Sequence, residues 1–288
     1  MKLFYFYDKN FTPLRDHLVA SLEESGNAGV FDLQEDFQED LETLKFRAGG
    51  GMPTYLYKSS KICKAFDEVA EGEVFLFTDV DIQFLAPVHS TLEACMASGV
   101  DMILQKEFED IGVNIGFLGM RNTKRLQSFW KFVHAEIVRT QALDQRVVNN
   151  ALYSGFAASE FGLTWDRWPS NIWASSISFS GPLPEPLLVH HANFLIERAA
   201  SADPQPKLKQ LCCLRDAILR KSESANAEWA EYMAAVPLSQ AMLDYRDRHF
   251  GERRPGPEWS TLPDGHIARR GGYSEKAAKK LAARANDQ

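Results

Sequence analysis

The sequence predicts an α/β fold with a mainly parallel central sheet and a C-terminal helical extension. Three observations predict it. Short β-rich apolar runs alternate with amphipathic helical patterns over about 190 residues. The most apolar of these runs stop abruptly at acids, as strands do at the edge of a buried sheet. After about residue 200 the strand signals give way to helical patterns.

The elements follow in order. Residues 3–7, "LFYFY", form a β-rich run that stops at Asp8. Thr12 and Pro13 then supply an N-cap and first-turn pair for a helix. Residues 30–33 read as a second short strand and residues 36–46 as a helix, closed by the flexible "AGGGMP" of residues 48–53. Residues 54–69 place Leu56, Ile62, Phe66 and Val69 roughly on one helical face. The run "VFLF", residues 74–77, is the next strand, and residues 102–105 and 115–120 give two more. Residues 123–140 put Leu126, Phe129, Trp130, Val133 and Ile137 on one side of a helix, and residues 144–153 form another. Residues 187–191 follow a Pro-rich turn as a late strand. Helical patterns at 206–220 and 225–248 come next, the second broken near Pro237. The tail, 251–288, carries eight Lys/Arg against five Asp/Glu and reads as loose or weakly helical. The expected division is a main α/β domain over residues 1–200, a helical extension packed on it over 201–250, and a polar, basic, flexible tail over 251–288.

Composition narrows the function classes. In a chain of 288 residues, 45% apolar and 25% charged content is ordinary for a soluble globular protein that needs neither disulfide nor metal to fold. A net charge of -7 argues against a nucleic-acid partner. The four cysteines, Cys63, Cys95, Cys212 and Cys213, form no CxxC pair, which argues against a zinc ribbon or a thioredoxin motif and suits a reducing compartment. The apolar start is too short for a signal-peptide core, and no run approaches the roughly 20 residues of a membrane span. A cytoplasmic location without a transmembrane segment is the expectation.

Chemistry is signalled at "FLFTDVDIQFLAPV", residues 75–88, where a buried strand ends in two acids one residue apart. Ligands of open α/β sheets bind at the carboxyl ends of strands. Residues i and i+2 of an extended chain face the same side, so Asp79 and Asp81 would repel each other unless a cation joined them. Oxygen ligands of this kind suit Mn²⁺ or Mg²⁺, which can in turn hold a diphosphate. The alternative is a turn in which the acids cap backbone amides.

Other segments occur in a compatible order. "DIGVNIGFLGMRNT" spans residues 110–123, "LDQRVVNNAL" residues 143–152 and "LLVHHANF" residues 187–194. With "FLFTDVDIQFLAPV", they resemble the DxD segment, the N-x-G strand, the DQ helix and the late H-x-N strand of the GT-A glycosyltransferases. The similarity is strongest to the nucleotide-diphospho-sugar transferase group and covers roughly residues 1–200. It implies a Rossmann-like GT-A fold. It also implies an enzyme that moves a sugar from a nucleotide diphosphate sugar, UDP being the commonest base, to an acceptor hydroxyl with Mn²⁺ or Mg²⁺ and retention of configuration.

The resemblance assigns roles by position. Asp79, Asp81 and His191 would hold the metal, with His190 competing for the place of His191. Asp144, Gln145 and Asn114 would lie at the reacting face. Tyr7, Asp8, Lys61, Asp79, Gly116 and Asn193 would bind the donor. The glycine and lysine that usually follow the late histidine are not evident, and Lys207 or Lys209 arrives only after a longer spacer. Residues 161–176 carry three tryptophans, which suit either sugar stacking or the core. A glycan, lipid or protein acceptor and a homodimer are both compatible with the sequence. Two alternatives stay open: a non-catalytic sugar-nucleotide or glycan-binding module, and a metal-dependent phosphohydrolase. Gln83 disfavours the second, because it stands where phosphohydrolase loops carry Thr or Val.

Overall fold

The computed structural model describes residues 1–38, 54–106, 112–174, 186–192 and 204–219, together with the backbone of 259–261 and 267–269. Its centre is a six-stranded sheet in the order β2-β1-β3-β6-β5-β7. The strands are β1 (Lys2–Asp8), β2 (Asp32–Gln38), β3 (Val74–Thr78), β5 (Met102–Lys106), β6 (Val113–Arg121) and β7 (Trp165–Arg167). Pairing is parallel for β1 with β2, β1 with β3, and β5 with β7. It is antiparallel on both sides of β6. Five strands therefore share one direction and β6 alone runs against them, so the sheet is mainly parallel.

Side chains alternate across this sheet. Leu3, Tyr5, Leu76 and Ile103 enter one apolar cluster with α1 (Thr12–Glu24). Phe4, Phe75, Phe77, Met102 and Leu104 enter the other, against α2 (Thr54–Ala65), α4 (Lys124–Thr140) and α5 (Asp144–Tyr153). Strands covered on both faces read as continuous apolar runs, which is why "LFYFY" and "VFLF" are legible.

The acid-rich segment expected as a helix from residue 36 is strand β2 as far as Gln38, and the rest of it lies outside the described residues. Parallel pairing with β1 over seven residues overrides its helical pattern. As an edge strand it needs charge partners more than an apolar face. Glu35, on one face, accepts from the hydroxyls of Tyr5 and Tyr7 at 2.8 and 2.7 Å and from Arg15 of α1. Asp36, on the other, accepts from the hydroxyl of Tyr57 and pairs with Lys61 of α2, both at 2.5 Å. The second strand accordingly begins two residues later than the sequence suggests.

A register shift in the β5–β6 pair moves the partners from Ile103↔Gly119 to Gln105↔Asn114. The shift exchanges the faces of β6. Leu118 and Met120 join the cluster under α4, Phe117 joins that under α1, and Val113 and Ile115 return to the first. Asn114 and Gly116 consequently face the same side as Gln105.

On that side a three-stranded sheet, β4-β9-β8, covers the strand ends. It comprises β4 (Ile82–Phe84), β8 (Ile172–Ala174) and β9 (Val189–His191). Two short helices, α3 (His89–Met96) and α6 (Phe156–Phe161), complete the core, and neither is signalled by the sequence patterns above. Helix α7 (Gln205–Leu219) packs through Leu208 and Leu211 into the α1 cluster. Within the tail, β10 (Trp259–Thr261) and β11 (Ile267–Arg269) pair antiparallel, where the sequence suggested loose or helical chain. The 48–53 and 225–248 segments and Asn193 lie outside the described residues.

Candidate active site

The site forms where β3 ends and the chain turns into β4. Thr78 is the last residue of β3 and Ile82 the first of β4, so Asp79, Val80 and Asp81 make the connection. Val80 is buried in the core and anchors the turn from beneath. The amide of Asp79 donates to the carbonyl of Gly116 at 2.7 Å, and the carbonyl of Asp81 accepts from the amide of Ala192 at 2.8 Å. Antiparallel pairing of β4 with β9 sets Ile82 opposite His191, which brings the late histidine beside the acids across 110 residues of chain.

Nε2 of His191 lies 3.2 Å from Oδ1 of Asp81. One ligand atom from each of Asp79, Asp81 and His191 falls within 4.8 Å of the others. Two carboxylates and an imidazole can all ligate one metal ion, so the residues present fit a divalent cation.

Lysines offset the charge of the two acids. The ammonium of Lys58 on α2 pairs with Oδ1 of Asp79 at 2.6 Å, and that of Lys207 on α7 pairs with Oδ2 of Asp81. Asp81 is buried, which alone would raise its pKa, yet Lys207 and His191 together hold it far below the usual carboxylate range.

The two histidines face opposite ways, as neighbours on a strand must. His191 turns toward Asp81, while His190 packs against Trp173 with ring centroids 5.1 Å apart and meets Gln210 of α7 at 3.3 Å. Burial first, and His191 second, push His190 down to about 3, so it sits in the core as a neutral ring.

The N-x-G element has a steric task. A Cβ on Gly116 would fall 2.0 Å from Cε1 and 2.6 Å from Nδ1 of His191. The glycine thus admits the imidazole itself. Asn114 accepts from the amide of Gly116 at 2.7 Å, shaping the same turn of backbone.

Helix α5 is docked on β6 by Asn149. Its amide group donates to the carbonyl of Val113 at 2.7 Å and its oxygen accepts from the Val113 amide at 2.8 Å. Asn149 lies within the DQ segment, but nothing local in the sequence marks this docking role. Docking places Asp144 and Gln145 at the start of α5. Asp144 accepts from the amide of Gln145 at 2.8 Å. Burial, with a smaller push from Asp79, raises the Asp144 carboxyl to about 6 against the pull of Lys58. These opposed effects place Asp144 in the electrostatic field of the Lys58–Asp79 pair.

The remaining sequence candidates stand elsewhere. Lys61 is committed to Asp36, and its neighbour one helical turn earlier, Lys58, is the lysine on Asp79. Spacing alone cannot separate the two, because residues three apart on a helix share a face. The hydroxyl of Tyr7 donates to Glu35, and its ring is capped by the Arg15 guanidinium at 5.6 Å. The Asp8 carboxylate turns back to accept from the amides of Asn10 and Phe11. Of the three tryptophans, Trp168 is fully buried and donates to the carbonyl of Phe117 at 3.1 Å. Trp173 is buried beside His190, and Trp165 packs on Tyr153.

A family model described as nucleotide-diphospho-sugar transferase matches residues 38–181, half of the chain. The chain belongs to the nucleotide-diphospho-sugar transferase family. The match takes in Asp79, Asp81, Asn114, Gly116, Asp144 and Gln145 and stops short of His191 and Lys207. Among solved structures, a glycosyltransferase involved in glycosylation of the major capsid of PBCV-1 is 11% identical, with a TM-score of 0.51 over 73% of this chain and 97% of its own. That likeness shows a shared fold. The galactosyltransferase LgtC, in complex with donor and acceptor sugar analogs, is 13% identical over 73% of this chain and 95% of its own, with a TM-score of 0.47. Mouse xyloside xylosyltransferase 1 is 11% identical over 67% and 98%, with a TM-score of 0.42. No curated protein sequence matches the chain. As a nucleotide-diphospho-sugar transferase with a glycosyltransferase fold, the chain is an enzyme of sugar transfer. Among the described residues, no helix is long and apolar enough to cross a membrane.

Proposed function

We propose that the protein transfers a sugar from a nucleotide diphosphate sugar, with UDP as the nucleotide, to an acceptor hydroxyl in a metal-dependent, retaining reaction. The convergence of Asp79, Asp81 and His191 on one position carries this reading. When bound there, Mn²⁺ or Mg²⁺ would neutralise charge developing on the departing diphosphate.

The chain's own residues have distinct tasks in this proposal. Lys58 and Lys207 already stand on the two carboxylates and are proposed to turn to phosphate oxygens once a cation takes over the acids. Lys207 is thus the proposed diphosphate lysine, reached after the long spacer. In the transfer itself, the anomeric carbon exchanges its bond to the diphosphate oxygen for one to the acceptor oxygen. The nucleoside diphosphate leaves with the bonding electron pair, and its departing phosphate oxygen takes the proton of the acceptor hydroxyl. Asp144, Gln145 and Asn114, set at the start of α5 and of β6, are proposed to orient the sugar at that face. Asp8 and Tyr7 end β1 on the side proposed for the base, and Gly116 acts through His191. A cytoplasmic setting is part of the same proposal.

Donor hydrolysis tests the reading. A UDP-sugar panel followed by ¹H NMR with and without Mn²⁺ is expected to show cation-dependent release of free sugar. Nucleotide binding without any turnover, with acceptors also supplied, would favour a binding module on the same fold.

A further inference from the structure

Gln105 is buried inside β5, and its side chain bonds no backbone group among the described residues. Oε1 lies 3.0 Å from Nδ1 of His191, while Nε2 has no hydrogen-bond partner among the described residues. A buried amide left half unsatisfied is costly and calls for a reason. An apolar residue would fill this strand position without that cost, as Ile103 does one step earlier on the same face.

The reason lies in the ring it touches. Imidazole nitrogens are distinct, and the one that carries the proton is set by the bond its partner makes. An amide oxygen only accepts, so it selects the ring form with the proton on Nδ1. A cation bound beside Asp81 would then meet the Nε2 lone pair while the proton stays on Nδ1 against Gln105. Gly116 closes the other side of the ring, since even a methyl group there would collide with it. The register shift between Ile103 and Gln105 puts Gln105 opposite Asn114 and on the face where β9 delivers His191.

We propose that Gln105 is a positioning residue that fixes the proton and the orientation of His191, so that Nε2 is presented to a divalent cation. This rests on the metal-site reading given under Proposed function. Partners of this kind typically change metal affinity 10- to 100-fold, roughly, when removed.

The test is Mn²⁺ binding, read by electron paramagnetic resonance of the free ion, on wild type, Gln105→Met and Gln105→Glu. Methionine keeps the volume without a comparable acceptor, and glutamate keeps an acceptor. The expected result is an affinity loss of roughly 10- to 100-fold in Gln105→Met, with most of it recovered in Gln105→Glu. In Mg²⁺-loaded wild type, a slowly exchanging ring N–H resonance is expected, assigned by its loss in His191→Asn and absent in Gln105→Met. Equal Mn²⁺ affinity in wild type and Gln105→Met would overturn the positioning role while leaving the metal site intact. Failure of Gln105→Glu to recover affinity would reduce Gln105 to packing. Should Gln105→Met not fold, a rapidly exchanging His191 ring proton in wild type overturns the role. If wild type itself binds no Mn²⁺, the metal reading fails and takes this inference with it.

Discussion

A Cβ added to Gly116 would stand 2.0 Å from Cε1 of His191, closer than any real pair of carbon atoms in van der Waals contact. Two motifs 75 residues apart in the chain are thus one object: the glycine of N-x-G is the floor on which the late histidine lies. The imidazole is buried and held by Gln105 and Asp81, so it cannot move aside cheaply. Gly116→Ala is expected to destabilise the fold by about 1–3 kcal/mol through overpacking. It should also weaken Mn²⁺ binding, measured by thermal melting and by titration of the metal. Unchanged metal affinity in a folded Gly116→Ala protein would show that His191 need not lie where the structure has it.

Lys58 and Lys61 make a paired test. Lys58 sits under Asp79 with its side chain 8% exposed, whereas Lys61 serves Asp36 at the edge strand. Lys58→Met is expected to lower transfer by about 10²-fold, the scale of losing one preorganised charge at a developing anion. Lys61→Met should leave the rate within about twofold, since it removes a partly exposed pair. Steady-state rates at saturating donor separate the two outcomes.

Lys207 is expected to compete with the metal. Its ammonium occupies one oxygen of Asp81, and a cation binding there must displace it. Lys207→Met should tighten Mn²⁺ binding in the absence of nucleotide by about tenfold, equivalent to roughly 1.4 kcal/mol. The same variant should bind UDP less tightly when Mn²⁺ is saturating. Calorimetric titration in both orders reads both effects.

His17 predicts a pH dependence away from the site. It is buried against Gln83 at 2.9 Å, and burial lowers its pKa, with Arg215 lowering it further and Gln83 and Glu24 acting against them. Because the folded value lies below the unfolded one, the unfolded chain binds the proton first as pH falls. The contribution to stability is fully present above the unfolded value of about 6.5 and is lost as pH falls from there toward the folded value. Melting temperatures taken from pH 8 to pH 5 should decline, and His17→Gln should flatten that part of the curve.

How far the sequence discloses this depends on the element. β1 and β3 are buried on both faces, so apolar composition alone locates them. Glu35 and Asp36 of β2 are satisfied by tyrosines, a lysine and an arginine from other elements, which no local pattern displays. β4, β7 and β8 are three residues each, too short to show a period. In the site, Asp79 and Asp81 are legible because a buried strand rarely ends in two acids. The choice of His191 over His190 needed the β4–β9 pairing. Gln105 and Lys58 carry no sequence signal, because their meaning comes only from what another strand or turn places against them.

Asp79, Asp81 and His191 are proposed to hold one divalent cation together with a nucleotide diphosphate. The most direct measurement is Mn²⁺ titration with and without UDP on wild type and Asp81→Ala. One Mn²⁺ per wild-type chain is expected, bound more tightly when UDP is present and lost in a folded Asp81→Ala protein. Undiminished, UDP-coupled Mn²⁺ binding by Asp81→Ala would contradict it.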